Sequence, residues 1–116
     1  MADEKTRRGA QTRYINQLKK IFNGSPRQAE AMLLIKRAAF FLASLDELEH
    51  IIQKEGYVDT YKNGRNQSGT MASASLKAYK LSMDGLLATL KKLEDIAPNQ
   101  EGADELKAFL NNDVRN

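Results

Sequence analysis

The stretch SPRQAEAMLLIKRAAFFLASLDELEHIIQKEG, residues 25–56, decides the fold of this chain. Ser25, Pro26 and Gln28 match a capping box, with serine at the N-cap, proline at the first helical position and glutamine at the third. Gly56 stands where helices commonly end on a residue with positive φ. The sequence therefore predicts one helix of about 30 residues, roughly 45 Å long at 1.5 Å per residue.

An apolar seam with alternating spacings of four and three residues runs along this helix. Its members are Leu34, Ala38, Phe41, Leu45, Leu48 and Ile52. Such spacing is typical of helices that pack against other helices. The first half carries further apolar residues on other faces, namely Met32, Leu33, Ile35, Ala39, Phe40 and Leu42. This excess needs a second neighbour, either a third helix of the same chain or another subunit.

A second seam of similar length follows residue 72. Ser73 is a good N-cap and Pro98 ends the pattern. The members of the seam are Leu76, Tyr79, Met83, Leu86, Leu90, Leu93 and Ala97. Two such seams predict an all-α protein whose core, residues 25–98, is an antiparallel helical hairpin. We expect a basic N-terminal arm over 1–24 with a short helix over 3–22, and a polar tail over 99–116 with a short helix.

The segment between the two long helices, YVDTYKNGRNQSGTMA at residues 57–72, is too long and polar for a simple turn. Asn63-Gly64 is a strong two-residue turn signal, so the segment predicts a small β-hairpin or an Ω-loop. Gly64 and Gly69 have the spacing of a phosphate-binding loop. However, Thr70 occupies the position where that loop needs a lysine, which argues against nucleotide binding.

The composition leaves little from which to build a catalytic site. The chain has 116 residues, one histidine and no cysteine, and no acidic residues cluster on an apolar face. We therefore expect a protein that is not an enzyme and that uses neither a metal nor another cofactor, with His50 on the surface. It has no apolar run long enough for a membrane span and no signal-peptide core, which predicts a cytoplasmic protein without a membrane partner.

Positive charge is concentrated at the N-terminus. Residues 1–28 contain two acidic residues and seven basic ones, which are Lys5, Arg7, Arg8, Arg13, Lys19, Lys20 and Arg27. The remainder of the chain has more acidic than basic residues. This asymmetry indicates contact with nucleic acid or another acidic surface, the alternative being a solvated basic arm. Lys62 and Arg65 add positive charge to the loop.

The loop and the helix starts carry a family resemblance. The long helix contains Leu-Asp-Glu-Leu-Glu at 45–49, and the loop after it has the pattern Tyr-x-Asn-Gly-x-x-Gln-x-Gly. The next helix begins with residues 73–79 and ends with Leu-Lys-Lys-Leu, which Pro98 follows a few residues later. The loop pattern consists of Tyr61, Asn63, Gly64, Gln67 and Gly69. Over residues 30–98 the chain resembles the terminase small subunits of phages, although Ala74 stands where that family would place a proline.

The resemblance implies a non-enzymatic protein of the host cell cytoplasm that assembles as a ring, binds double-stranded viral DNA and regulates the terminase large subunit during packaging. The implied DNA-binding residues are Arg7, Arg8, Arg13, Lys19, Lys20, Arg27, Lys62 and Arg65. The implied core and oligomer residues are Leu34, Phe41, Leu45, Leu48, Ile52, Tyr79, Met83, Leu86, Leu90 and Leu93. Two alternatives remain open: a dimeric helical adaptor that does not bind DNA, and a small helix-turn-helix regulator.

Overall fold

The computed structural model describes residues 4–62 and 68–115, and within these ranges the chain forms four α-helices and one two-stranded ribbon. The elements are α1 (Glu4–Lys19) with a 3-10 turn at Lys20–Phe22, α2 (Gln28–Glu55), β1 (Val58–Lys62), β2 (Ser68–Ala72), α3 (Ala74–Asp95) and α4 (Gln100–Arg115). The predicted all-helical class is confirmed. The molecule is elongated, with extents of 63 × 28 × 24 Å.

Helix α2 is the central element because α1 and α3 both pack against it. The Tyr14 hydroxyl of α1 donates a 2.6 Å hydrogen bond to Asp46 Oδ2. On the α3 side, the Tyr79 hydroxyl donates to Glu49 Oε2 at 3.0 Å, and the Phe41 ring lies against Gly85. Later residues of α2 thus meet earlier residues of α3, and the two helices run in opposite directions.

Of the six further apolar residues on the first half of α2, three are buried within the single chain and Met32 is half-buried. Ile35, Ala39 and Leu42 are at most 1% exposed, and they share one core cluster with residues of α1 and its 3-10 turn, which are Tyr14, Leu18 and Phe22. Of the two predicted neighbours for this surface, the structure therefore provides the helix of the same chain. Leu33 and Phe40 are the exceptions, at 70% and 54% exposure.

The start of α2 differs from the predicted capping box. The helix begins at Gln28 after Arg27, whose side chain makes no capping hydrogen bond. Ser25 instead organises the preceding turn: its Oγ accepts from the Arg27 N–H at 3.2 Å, and its carbonyl accepts from the Gln28 N–H at 3.1 Å. The prediction placed the helix start about two residues early because the turn at Pro26 has the same local hydrogen-bonding preference as a cap.

The end of α2 agrees with the sequence. Gly56 has φ of 86°, a value that side-chain-bearing residues rarely adopt, and its N–H donates to the Ile52 carbonyl at 2.7 Å. Strands β1 and β2 then pair antiparallel, with Val58 opposite Ala72 and Lys62 opposite Ser68. The predicted Asn63-Gly64 turn lies in residues 63–67, outside the described ranges.

Helix α3 begins as predicted, since the Ser73 Oγ accepts a 3.0 Å hydrogen bond from the Leu76 N–H. The C-terminal helix is longer than predicted. Asn99 accepts a 2.8 Å hydrogen bond from the Gly102 N–H, and α4 runs from there to Arg115. Ala103 and Leu106 are buried, so small and apolar residues anchor α4.

Replacing Gly85 with alanine is expected to destabilise the protein by about 1 kcal/mol. An added Cβ would lie 2.5 Å from Phe41 Cζ, so the ring must move, at an overpacking cost of about 1–3 kcal/mol that outweighs the helix-propensity gain of about 1 kcal/mol. Chemical denaturation measures the change. Gly9→Ala is the control, because nothing lies within 4 Å of its added Cβ and that variant should gain stability. If Gly85→Ala no longer lowers the free energy of unfolding when Phe41 is also replaced by leucine, the contact with the Phe41 ring is the cause of the destabilisation.

Removing the Tyr14 hydroxyl is expected to loosen α1. Tyr14 is 6% exposed and donates to a carboxylate, so Tyr14→Phe should cost about 2 kcal/mol in the free energy of unfolding. Tyr79→Phe is the matched control, because that hydroxyl also donates to a carboxylate but does so in an exposed setting. Equal losses in the two variants would contradict a dependence on burial.

Candidate nucleic-acid interface

Helix α1 presents one apolar face to α2 and one basic face to solvent. Tyr14, Leu18 and the following Phe22 are buried, and half-buried Ala10 and Ile15 flank them. Residues 5–29 contain seven basic residues and no acidic residue, so no carboxylate from this segment offsets the positive charge. All seven predicted basic residues of this segment are exposed.

Two of these basic residues are engaged in ion pairs. Arg7 Nε lies 3.6 Å from Glu47 Oε2, and this pair joins the start of α1 to α2. Arg27 makes a two-pronged contact with Glu30, with both nitrogen–oxygen distances at 2.8 Å. Hydrogen bonding to Glu30 raises the pKa of Arg27, and the same bonds lower the pKa of Glu30. The charges of Arg7 and Arg27 are therefore partly offset by neighbouring carboxylates.

The cations best placed to meet an external anion are in the middle and at the end of α1. Arg13, Lys19 and Lys20 are exposed and take part in no ion pair within the described residues. The Arg13 guanidinium stacks over the Tyr14 ring with 4.9 Å to the ring centroid, which holds it close to the helix surface. Arg8 is also exposed on this helix. Together these residues form what we term the α1 basic face: Arg8, Arg13, Lys19 and Lys20.

The loop candidates lie largely outside the described residues. Asn63, Gly64, Arg65 and Gln67 fall in the undescribed segment 63–67. Tyr61 and Lys62 belong to β1, and Gly69 to β2, where the backbone pairs Tyr61 with Gly69. The proposed phosphate contacts of Lys62 and Arg65, and the roles of the loop pattern, remain predictions.

The predicted core residues fall into two groups. Leu45, Leu86, Leu90 and Leu93 are buried. The half-buried ones line the contact between α2 and α3 or its edges, and they are Leu34, Phe41, Leu48, Ile52, Tyr79 and Met83. The predicted seam of α2 includes two of its seven buried residues, Ala38 and Leu45, and the other five are Ala31, Ile35, Ala39, Leu42 and Ala43. Three of these residues are alanines outside the seam. They could have indicated a second packing face, since small residues permit the close approach of another helix.

The acidic residues of α2 serve as partners for other side chains. Asp46 accepts from Tyr14, Glu47 pairs with Arg7, and Glu49 accepts from Tyr79. Between α1 and α2 an open cleft of about 440 Å³ is lined by both charge signs and by His50, which is exposed as predicted. Across the described ranges, no three histidine, cysteine, aspartate or glutamate side chains gather as metal ligands would.

None of the helices in the described part of the chain combines the length and apolarity of a membrane span. Comparisons of the chain with protein-family models, curated proteins and solved structures give no match. The likeness to terminase small subunits accordingly stays an expectation from the sequence patterns alone.

Proposed function

We propose that this protein is a non-enzymatic DNA-binding subunit, and that the α1 basic face contacts the phosphates of double-stranded DNA. The observation that carries the proposal is a solvent-facing helix with four exposed cations inside a 25-residue segment that has no acidic residue. Phosphate contacts of this kind need positive charge rather than a shaped pocket. Helix α1 is docked rigidly by Tyr14, Leu18 and Phe22, which favours a defined binding face over a solvated arm.

The more specific role follows from the resemblance of residues 30–98. We propose that the chain is the small subunit of a phage terminase, which binds viral DNA and regulates the large subunit in the host cell cytoplasm. A ring built on the α2–α3 hairpin would multiply the few cations of each copy, so that weak contacts act together. Exposed Leu33 and Phe40 support self-association, but they are a smaller patch than the sequence suggested, because α1 covers the rest.

Binding to duplex DNA should weaken steeply with salt, and neutralising the α1 basic face should reduce that dependence. Each lost phosphate contact lowers the slope of log affinity against log salt by about 1. We expect the triple variant Arg13→Ala, Lys19→Ala, Lys20→Ala to reduce the slope by roughly 2–3 in fluorescence anisotropy titrations. The control removes the same charge from exposed lysines of α3, through Lys77→Ala, Lys80→Ala and Lys91→Ala.

Equal slopes for the two triple variants would contradict a defined face on α1. A wild-type protein that leaves the anisotropy of labelled DNA unchanged at low salt would instead support the adaptor alternative. If the loss of DNA affinity in the α1 triple variant differs strongly between DNA sequences, the result would support the helix-turn-helix regulator. Base contacts, and not phosphate contacts, would then account for the affinity.

Arg27 should contribute less than the cations of the α1 basic face. Its guanidinium already holds Glu30 through two hydrogen bonds, and these would have to be released or shared for it to reach a phosphate. We expect Arg27→Ala to change the salt slope by well under 1, against about 1 for Lys20→Ala. The same titration measures both variants. A slope change for Arg27→Ala as large as that for Lys20→Ala would show that the ion pair between Arg27 and Glu30 does not prevent Arg27 from binding a phosphate.

A further inference from the structure

Helix α2 has a third face on which two large apolar side chains stand exposed. This face carries Leu33, Phe40, Ser44 and Ile51, which we term the outer seam. The intervals of seven, four and seven residues keep all four side chains within a narrow band of the helix surface. Leu33 is 70% exposed and Phe40 is 54% exposed, while Ser44 and Ile51 are half-buried.

The spacing of the outer seam is symmetric about the level of Leu42. Leu33 and Ile51 lie nine residues to either side of this level, and Phe40 and Ser44 lie two residues to either side. When two copies of such a helix run antiparallel with Leu42 level with Leu42, Leu33 of one meets Ile51 of the other. The large Phe40 ring then meets the small Ser44. A two-fold contact requires this kind of self-complementary surface.

One flank of the outer seam adds complementary charge. Lys36 and Glu47 lie on the same flank, which is the side toward α1, six and five residues from the Leu42 level. In the antiparallel arrangement each lysine therefore comes level with the glutamate of the other copy. Lys36 is exposed and makes no ion pair within the described residues, whereas Glu47 already pairs with Arg7 and would be shared between Arg7 and the lysine of the other copy.

We infer that the outer seam is a homodimer contact, in which α2 packs antiparallel against α2 of a second copy about a two-fold axis near Leu42. Apolar residues meet apolar or small residues along the seam, and Lys36 meets Glu47 beside it. This inference stands on α2 alone, so it is independent of whether α1 binds DNA.

Two exposed leucines provide a matched test by light scattering of the purified protein. Leu33, on the outer seam, and Leu81, on the solvent side of α3, are 70% and 71% exposed. We expect the wild type to have the mass of two chains or an even multiple of it, Leu81→Asp to keep at least the two-chain mass, and Leu33→Asp to have at most half the wild-type mass. Circular dichroism establishes that both variants stay helical. A one-chain wild type, or a Leu33→Asp variant with the wild-type mass, overturns the inference.

Spin-label distances test the antiparallel direction separately. The chain has no cysteine, so Ala29→Cys, Arg37→Cys and Lys54→Cys each introduce a unique label site on an exposed residue. The two labels of a dimer should be separated along the helix axis by about 39, 15 and 36 Å respectively, from 1.5 Å per residue on either side of Leu42. Nearly equal distances at the three positions would mean a parallel contact and overturn the two-fold model.

Discussion

The fold depends on the burial of two faces of α2 at once. Ile35, Ala39 and Leu42 are sealed in the cluster that contains Tyr14, Leu18 and Phe22, while Ala38 and Leu45 lie on the face toward α3. Each fully buried large side chain contributes about 1.5–3 kcal/mol, so neither contact can be dispensed with in a chain of this size. Small residues on both faces let the neighbours approach closely. Helix α1 is therefore part of the core, and its basic residues are displayed from a rigid element.

The features that the sequence predicts well are those that do not depend on how the neighbours of α2 are packed. Two helix ends that depend on local chemistry were found where expected: Gly56 has the positive φ that a helix end favours, and Ser73 caps α3. The two apolar periodicities located both long helices. These features are determined by a few neighbouring residues, which is why a single sequence is enough to predict them.

Features that depend on tertiary packing were predicted less well. The seam chosen for α2 contains two of the seven buried residues of that helix, Ala38 and Leu45. The apolar excess beside the seam indicated a second neighbour but left open whether it is a helix of the same chain or another subunit. Leu18, Phe22 and Leu106 are apolar residues within the basic N-terminal and polar C-terminal segments, and all three are buried against neighbouring elements. The ion pairs of Arg7 and Arg27 were also hidden, because Glu47 lies 40 residues from Arg7 and the closeness of Glu30 in sequence does not by itself fix a contact.

Symmetry connects the two proposals. When the molecule is viewed along α2, α1 lies on one side of the outer seam and α3 lies on the other side. The two-fold axis is perpendicular to α2 and runs between the two α2 helices, so α1 of the second copy lies on the same side as α1 of the first. A dimer through the outer seam would therefore place both α1 helices, and both basic faces, on the same side of the assembly. Two linked basic faces suit one DNA duplex better than one does, because the second contact forms at a high effective concentration.

An isologous contact closes after two copies, so a ring with more subunits needs a second, different surface. Leu81 and Leu87 of α3 are also large apolar side chains that stand exposed, at 71% and 46%. Leu81 belongs to α3 and not to the outer seam of α2, so a contact between dimers through Leu81 would not use the same residues. A ring that contains the two-fold contact therefore needs a further contact between dimers, and exposed Leu81 offers α3 as one surface for it.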